Sequence, residues 1–207
     1  MRRFGALYAD PPWTFYQWSR LGYGRSALNH YPLLHLDQIK AYKLPPMADD
    51  SALFLWTTDP LLRQAIEVME AWGFDYKTIA FTWVKTDKKG GFPIGMGYWT
   101  RANPEICLLG TRGKPPRMAK DVRKLIIAPR EAHSAKPIEV NHRIERLVRG
   151  PYVELFARRK VAGWTCLGDE LDPLAARTGG RPGDGAPEAG LPLRHGHGPG
   201  QNPRRPD

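Results

Sequence analysis

Asp10-Pro11-Pro12-Trp13 puts a carboxylate, a rigid turn and a large aromatic into four consecutive residues. The conjugated amino group of a nucleobase such as adenine is a poor nucleophile, because its lone pair is delocalised into the ring. Two acceptors, each taking one amino hydrogen, favour a pyramidal nitrogen with the lone pair free to attack. The Asp10 carboxylate supplies one acceptor and the Pro11 carbonyl the other. Prolines suit the place, since they fix φ near −65° and carry no N–H of their own to compete for those acceptors. Trp13 offers a face on which a purine taken out of its own stack can rest.

Other chemistries find little support. Cys107 and Cys166 each sit in an apolar stretch without metal-ligand spacing, and read as reduced core residues. The six histidines do not group, so no metal site is expected. There is no Gly-x-Gly-x-x-Gly loop of a nicotinamide or flavin enzyme. No apolar run approaches the length of a membrane span, and Met1-Arg2-Arg3 leads straight into a strand pattern, so a cytoplasmic protein with no membrane association is expected. The net charge of +10 points to a polyanionic partner. The densest basic stretch runs from Arg112 to Arg130, with only Asp121 opposing, and makes Lys114 and Arg117 candidate phosphate contacts.

These groups need a frame. Gly5 to Ala9 reads as a buried strand stopped by Asp10 and two prolines. Further strand signals occur at Ala52–Trp56, Thr78–Val84, Ile106–Leu109, Leu125–Ala128 and Tyr152–Ala157. A helix is predicted from Asp59 as N-cap and Pro60 to a stop at Gly73, with Leu62, Ala65, Ile66 and Met69 on one face. Another is predicted from about Ser134 to Arg149, with Asn141 and His142 on its outer side, and a weaker one over Leu36–Tyr42. Strands alternating with amphipathic helices predict an α/β fold, an open and mostly parallel sheet with helices on both faces and ligands at the carboxyl ends of its strands. From 173 to 207 the composition turns to Gly, Pro and Arg, so 1–172 is expected to form the domain and the rest a disordered tail.

The order of motifs resembles the DPPW-type adenine methyltransferases, a family with small bacterial and phage DNA enzymes and the catalytic subunit of the eukaryotic messenger-RNA adenosine methyltransferase. After Asp10 to Trp13 come His30-Tyr31, Phe54-Leu55-Trp56, Trp83 to Thr86, Arg101 to Glu105, His133 to Pro137, Glu154 to Arg158 and Gly163 to Glu170, in the family's order. The resemblance covers about residues 5 to 171. It implies a Rossmann-like S-adenosylmethionine-dependent methyltransferase sheet in permuted order, with the catalytic strand first and the cofactor-binding strand last.

It further implies that Lys85 holds the carboxylate of the cofactor's methionine part. Arg158, Arg159, Lys160, Asp169 and Glu170 would line the ribose and adenine side, and Tyr31 would border the target base. His133 and Ser134, ahead of a helix, would add a cofactor contact through the helix N-terminus. Asp169 stands where the family usually has Asn, an acceptor-only group in place of an amide. Relatives acting on cytosine or on glutamine amides more often carry Ser or Asn before Pro-Pro and Tyr or Phe after it, so Asp with Trp favours adenine. The compact size and the lack of a separate RNA-binding module favour DNA over RNA as the nucleic acid, and a partner subunit or homodimer is compatible with the family.

Overall fold

The structure is a computed structural model that describes residues 2–13, 34–95, 97, 99–130, 135–168 and 171. These form a seven-stranded sheet in the order β5-β3-β4-β2-β1-β6-β7. The strands are β1 (Phe4–Ala9), β2 (Met47–Thr57), β3 (Asp75–Thr86), β4 (Glu105–Arg112), β5 (Leu125–Pro129), β6 (Tyr152–Leu155) and β7 (Trp164–Leu167). β1 pairs in parallel with β2 and β6, β6 with β7, and β3 with β5, while β4 runs antiparallel between β2 and β3. This is the open, mostly parallel α/β sheet expected, with the Asp10 strand between its two halves.

β7 was not among the predicted strands, because Gly163 and Gly168 leave it only four residues between them. β6 is shorter than predicted: Phe156 adopts φ +58 and turns the chain out of the sheet.

Helices cover both faces. On one, α1 (Leu36–Lys40) and α2 (Leu62–Ala71) pack Ile39, Ala65, Val68 and Met69 against Leu7, Leu53 and Leu55. The Gln38 side chain accepts the His35 N–H at 2.8 Å and closes the first turn of α1. α2 follows a 3-10 turn over Asp59–Leu61 rather than starting at Asp59, and Gly73, at φ +78, ends the segment as predicted. On the opposite face α3 (Glu139–Leu147) packs Val140 and Ile144 against Ala6, Tyr8, Phe54, Phe81 and Ile126. No described helix is long and apolar enough to cross a membrane.

α3 corrects the sequence reading in two respects. It begins at Glu139, not near Ser134, because a residue preceding proline is driven to extended backbone and Lys136 precedes Pro137. Asn141, expected on the outer side, is only 2% exposed and faces the sheet.

Candidate active site

Side chains alternate between the two faces of a strand. Along β1 the α3 face receives Ala6, Tyr8 and, just past the end, Asp10; along β3 it receives Phe81, Trp83 and Lys85. On β4 the same phase gives Cys107 and Glu105, and on β6 Tyr152 and Glu154. β4 is reversed, so its first residue, Glu105, lies at the edge where the parallel strands end. These four rows therefore terminate in a charged residue at or beside one edge of the sheet.

Lys136 ties these charges together. Its extended segment crosses the edge and brings Nζ to 2.6 Å from Asp10 Oδ2 and 3.2 Å from Glu105 Oε2, with the Trp56 ring 5.4 Å away. Glu105 Oε1 in turn pairs with Lys85 Nζ at 2.6 Å, and Arg158 Nη2 lies 3.8 Å from Asp10 Oδ2. The Arg159 guanidinium donates to the Lys136 carbonyl. Burial alone raises the Glu105 carboxyl, but Lys136 and Lys85 outweigh it and hold its pKa at about 2. Burial pushes the Lys136 ammonium toward neutrality, and Asp10 and Glu105 reverse that and raise its pKa.

A cleft at this edge is lined by Tyr8, Asp10, Lys136, Asn141, Glu154, Phe156, Arg158 and Arg159 among others. It opens between β1 and β6, where α1 leaves toward one face and α3 arrives on the other, the switch point at which open α/β sheets bind ligands. Glu154 lies in its wall. Burial raises this carboxyl to about 7, against the opposing effect of the Asn141 amide, which donates to Oε2 at 3.2 Å. Burial also pushes the Tyr8 phenol well up, and its oxygen accepts the Trp56 indole N–H at 2.7 Å.

Cationic and anionic groups alternate around one cleft at the end of the Asp10 strand, and a family model described as MT-A70 matches residues 4–170. The chain belongs to the MT-A70 family. Similar proteins include the type II methyltransferase M.MunI of Mycoplasma sp, 36% identical over 189 residues that cover 82% of this chain and 78% of that protein. The N(6)-adenosine-methyltransferase MT-A70-like protein of Arabidopsis thaliana is 33% identical over 175 residues, 82% of this chain and 24% of its own. The human N(6)-adenosine-methyltransferase catalytic subunit METTL3 is 31% identical over 178 residues, 83% of this chain and 29% of its own. The chain thus spans only a minor part of the eukaryotic MT-A70 proteins.

Within this MT-A70 site the structure brings Asp10, Arg158 and Arg159 together as the sequence suggested. Lys85 stands at the end of β3 on the same edge. Three strand positions separate it from the Asp10 strand, and its ammonium pairs with Glu105, while Lys136 lies directly beside Asp10. Lys160 is exposed and is not among the cleft residues. Lys114 and Arg117 are at the opposite edge: the Lys114 N–H donates to Asp50 at 2.7 Å, and Met118 N–H donates to the Leu147 carbonyl at the far end of α3. That edge is about 20 Å from Asp10 along β2, so these two cations do not converge on the carboxylate. Tyr31, His133, Ser134, Asp169, Glu170 and the tail lie outside the described residues. The helix end expected to follow Ser134 lies at Glu139 instead.

The proline turn also differs in detail. The Trp13 N–H donates to the Pro11 carbonyl at 2.9 Å, so the competing donor comes from two residues on and leaves one of that oxygen's two lone pairs. Leu34 N–H donates to the Pro12 carbonyl at 3.0 Å. The Trp13 ring is not a free stacking face. It is 8% exposed in the core under α1 and α2, with its indole N–H on the Trp56 carbonyl at 3.0 Å. A large apolar ring gains more by packing there than by standing in water, and in doing so it pins the Pro11-Pro12 turn to β2.

The sequence motifs contain Lys136, Glu105 and Glu154 without marking a role for them. Their signal in the sequence is a carboxylate or ammonium continuing the alternation of a buried strand or flanking a proline beside one, since such charges are rarely buried unpaired.

Proposed function

We propose that this protein transfers a methyl group from S-adenosylmethionine to the exocyclic amino group of adenine in nucleic acid, DNA in preference to RNA. The observation that carries the reading is the Asp10 carboxylate, oriented by Lys136 at 2.6 Å at the switch point of an MT-A70 sheet. The donor set of the cleft fits the cofactor, which carries a carboxylate, an ammonium and a cationic sulfur. Lys136, Arg158 and Arg159 suit the first, and the Asp10 carboxylate faces the two positive groups. When bound, S-adenosylmethionine supplies an electrophilic methyl on sulfur. The further MT-A70 candidates Asp169, Glu170, His133 and Ser134 remain assigned to the cofactor, and Tyr31 to the base.

The chain's own contribution is positioning and charge. Among the described residues both cations approach Oδ2 of Asp10, so Oδ1 is the oxygen that accepts an amino hydrogen of the base. The remaining lone pair of the Pro11 carbonyl accepts the other. Bond formation between the nitrogen and the methyl carbon would break the sulfur–methyl bond and leave the cofactor as its neutral thioether, and the surplus proton on the positively charged nitrogen would pass to Oδ1 of Asp10. Lys136 holds the carboxylate in place, and Trp13 keeps the Pro11 carbonyl in register by anchoring the turn.

Incubation with the cofactor and duplex DNA, single-stranded DNA or RNA, followed by digestion to nucleosides, tests this. N6-methyladenine is expected, with more formed on DNA than on RNA. Methylated cytosine, or no product on any polymer, would overturn the reading.

A further inference from the structure

The loop joining β3 to β4, residues 87–104, leaves from the same edge as Asp10, because β3 ends there and the reversed β4 begins there. Hydrogen bonds tie down both of its ends. The Asp87 carboxylate accepts the N–H groups of Lys89 and Gly91, at 2.8 and 2.9 Å. The Asn103 side chain accepts the Lys85 N–H at 2.8 Å and donates to the Lys85 and Pro93 carbonyls at 3.0 and 2.7 Å. Gly95 N–H donates to the Ala102 carbonyl at 2.7 Å, and a Cβ on Gly95 would sit 2.4 Å from that oxygen, so only glycine permits the approach.

Among its described residues, three large apolar side chains are unburied. Phe92, Ile94 and Trp99 are 63%, 80% and 106% exposed, and none belongs to either core. Trp99 also has φ +61, a left-handed conformation that a bulky residue rarely adopts. A strained, fully exposed indole gains nothing within the described fold. In the same loop Lys88, Lys89 and Arg101 are exposed cations, while Asp87 is engaged within the loop and Glu105 by Lys85 and Lys136.

We propose that this loop grips the nucleic acid strand beside the target nucleotide: Trp99 stacks on an adjacent base while Lys88, Lys89 and Arg101 engage phosphates. The assignment rests on the nucleic-acid methylation reading above and gives that site its strand-holding element. A base drawn out for chemistry leaves its neighbours unstacked, and an aromatic face on the same edge of the protein replaces the lost stacking. Charge decides between nucleic acid and a second protein, since exposed lysines suit phosphates and are depleted at the cores of protein interfaces.

The test compares Trp99→Ala and Trp99→Phe with wild type, using a labelled adenine-containing DNA oligonucleotide for anisotropy and the same DNA for kinetics. For Trp99→Ala, Kd and KM for DNA are expected to rise about 10-fold, with a smaller change in kcat, an unchanged KM for the cofactor and an unchanged melting temperature. Trp99→Phe should restore most of the affinity. Lys88→Ala/Lys89→Ala should lower the slope of log affinity against log salt by about 1.5, whereas Trp99→Ala leaves that slope alone. Unaltered DNA affinity in Trp99→Ala overturns the proposal, as does a switch from dimer to monomer in sedimentation that by itself accounts for the loss. Absence of methyladenine from wild type, with Trp99-dependent DNA binding intact, would remove the activity reading and leave this one standing.

Discussion

Lys136 Nζ stands 2.6 Å from Asp10 Oδ2, joining residues 126 positions apart through side chains only 9% and 15% exposed. With Glu105 on the other side of the ammonium and Lys85 beyond it, buried charges alternate in sign along the edge of the sheet. Such an arrangement is sensitive to the loss of any member, because each charge is held out of water by its neighbours.

Replacing Lys136 by Met leaves Asp10 and Glu105 close together without their shared cation. A loss of about 3–5 kcal/mol is expected in urea unfolding, with cofactor binding abolished in calorimetry. A loss below about 1 kcal/mol would mean that water reaches the pair freely.

Asp10→Asn keeps the size of the side chain but exchanges a charged acceptor for an amide. Turnover should fall by about 10²–10³-fold, with the fold retained and cofactor affinity only modestly weakened. Near-wild-type methylation by this variant would rule out the acceptor role.

Glu154 titrates in its own window. Its folded pKa, raised to about 7 by burial, lies above the unfolded carboxyl value of 4.5, so the folded state holds the proton more tightly. The resulting stabilisation is complete below about pH 4.5 and is lost as pH rises through 7, a fall on the order of 2–3 kcal/mol. Glu154→Gln should remove that fall, matching wild type near pH 4.5 and exceeding it at pH 8 in urea titrations. Equal stability of the two proteins at pH 8 would contradict a buried, proton-retaining Glu154.

Glu105 behaves in the opposite sense. Held at about 2, it contributes stability that is present above its unfolded value of 4.5 and lost as pH falls toward 2. Glu105→Gln should therefore flatten the acid limb of the stability profile below pH 4.5, followed by circular dichroism. An unchanged acid midpoint would show that other carboxylates govern unfolding there.

Trp13→Phe separates anchoring from stacking. Loss of the indole N–H strands the Trp56 carbonyl, so the melting temperature should drop by an amount corresponding to about 1–2 kcal/mol. Were Trp13 a stacking face, phenylalanine would leave stability untouched and change only substrate affinity.

Much of this was legible in the chain. The apolar run before Asp10 gave β1 within a residue, and Gly73 correctly ended the α2 segment, because burial and backbone permissiveness are local properties. The helix predicted from about Ser134 begins only at Glu139, because Pro137 drives Lys136 to extended backbone. The register of motifs from Asp10 to Arg158 is by itself enough to bring out the family.

By itself, then, the sequence determined the α/β class, the abrupt end of the first strand at Asp10-Pro11-Pro12 and the family to which the chain belongs. Which charges meet depends on how the strands are ordered and directed in space. A buried strand has the same hydropathy in either direction, so nothing in its pattern shows that β4 is reversed. That reversal brings Glu105 and the Trp99 loop to the edge of Asp10 and sends Lys114 and Arg117 to the far one. The pairing of Lys136 with Asp10 likewise depends on strand order across the whole sheet, a relationship between distant segments that no local spacing encodes.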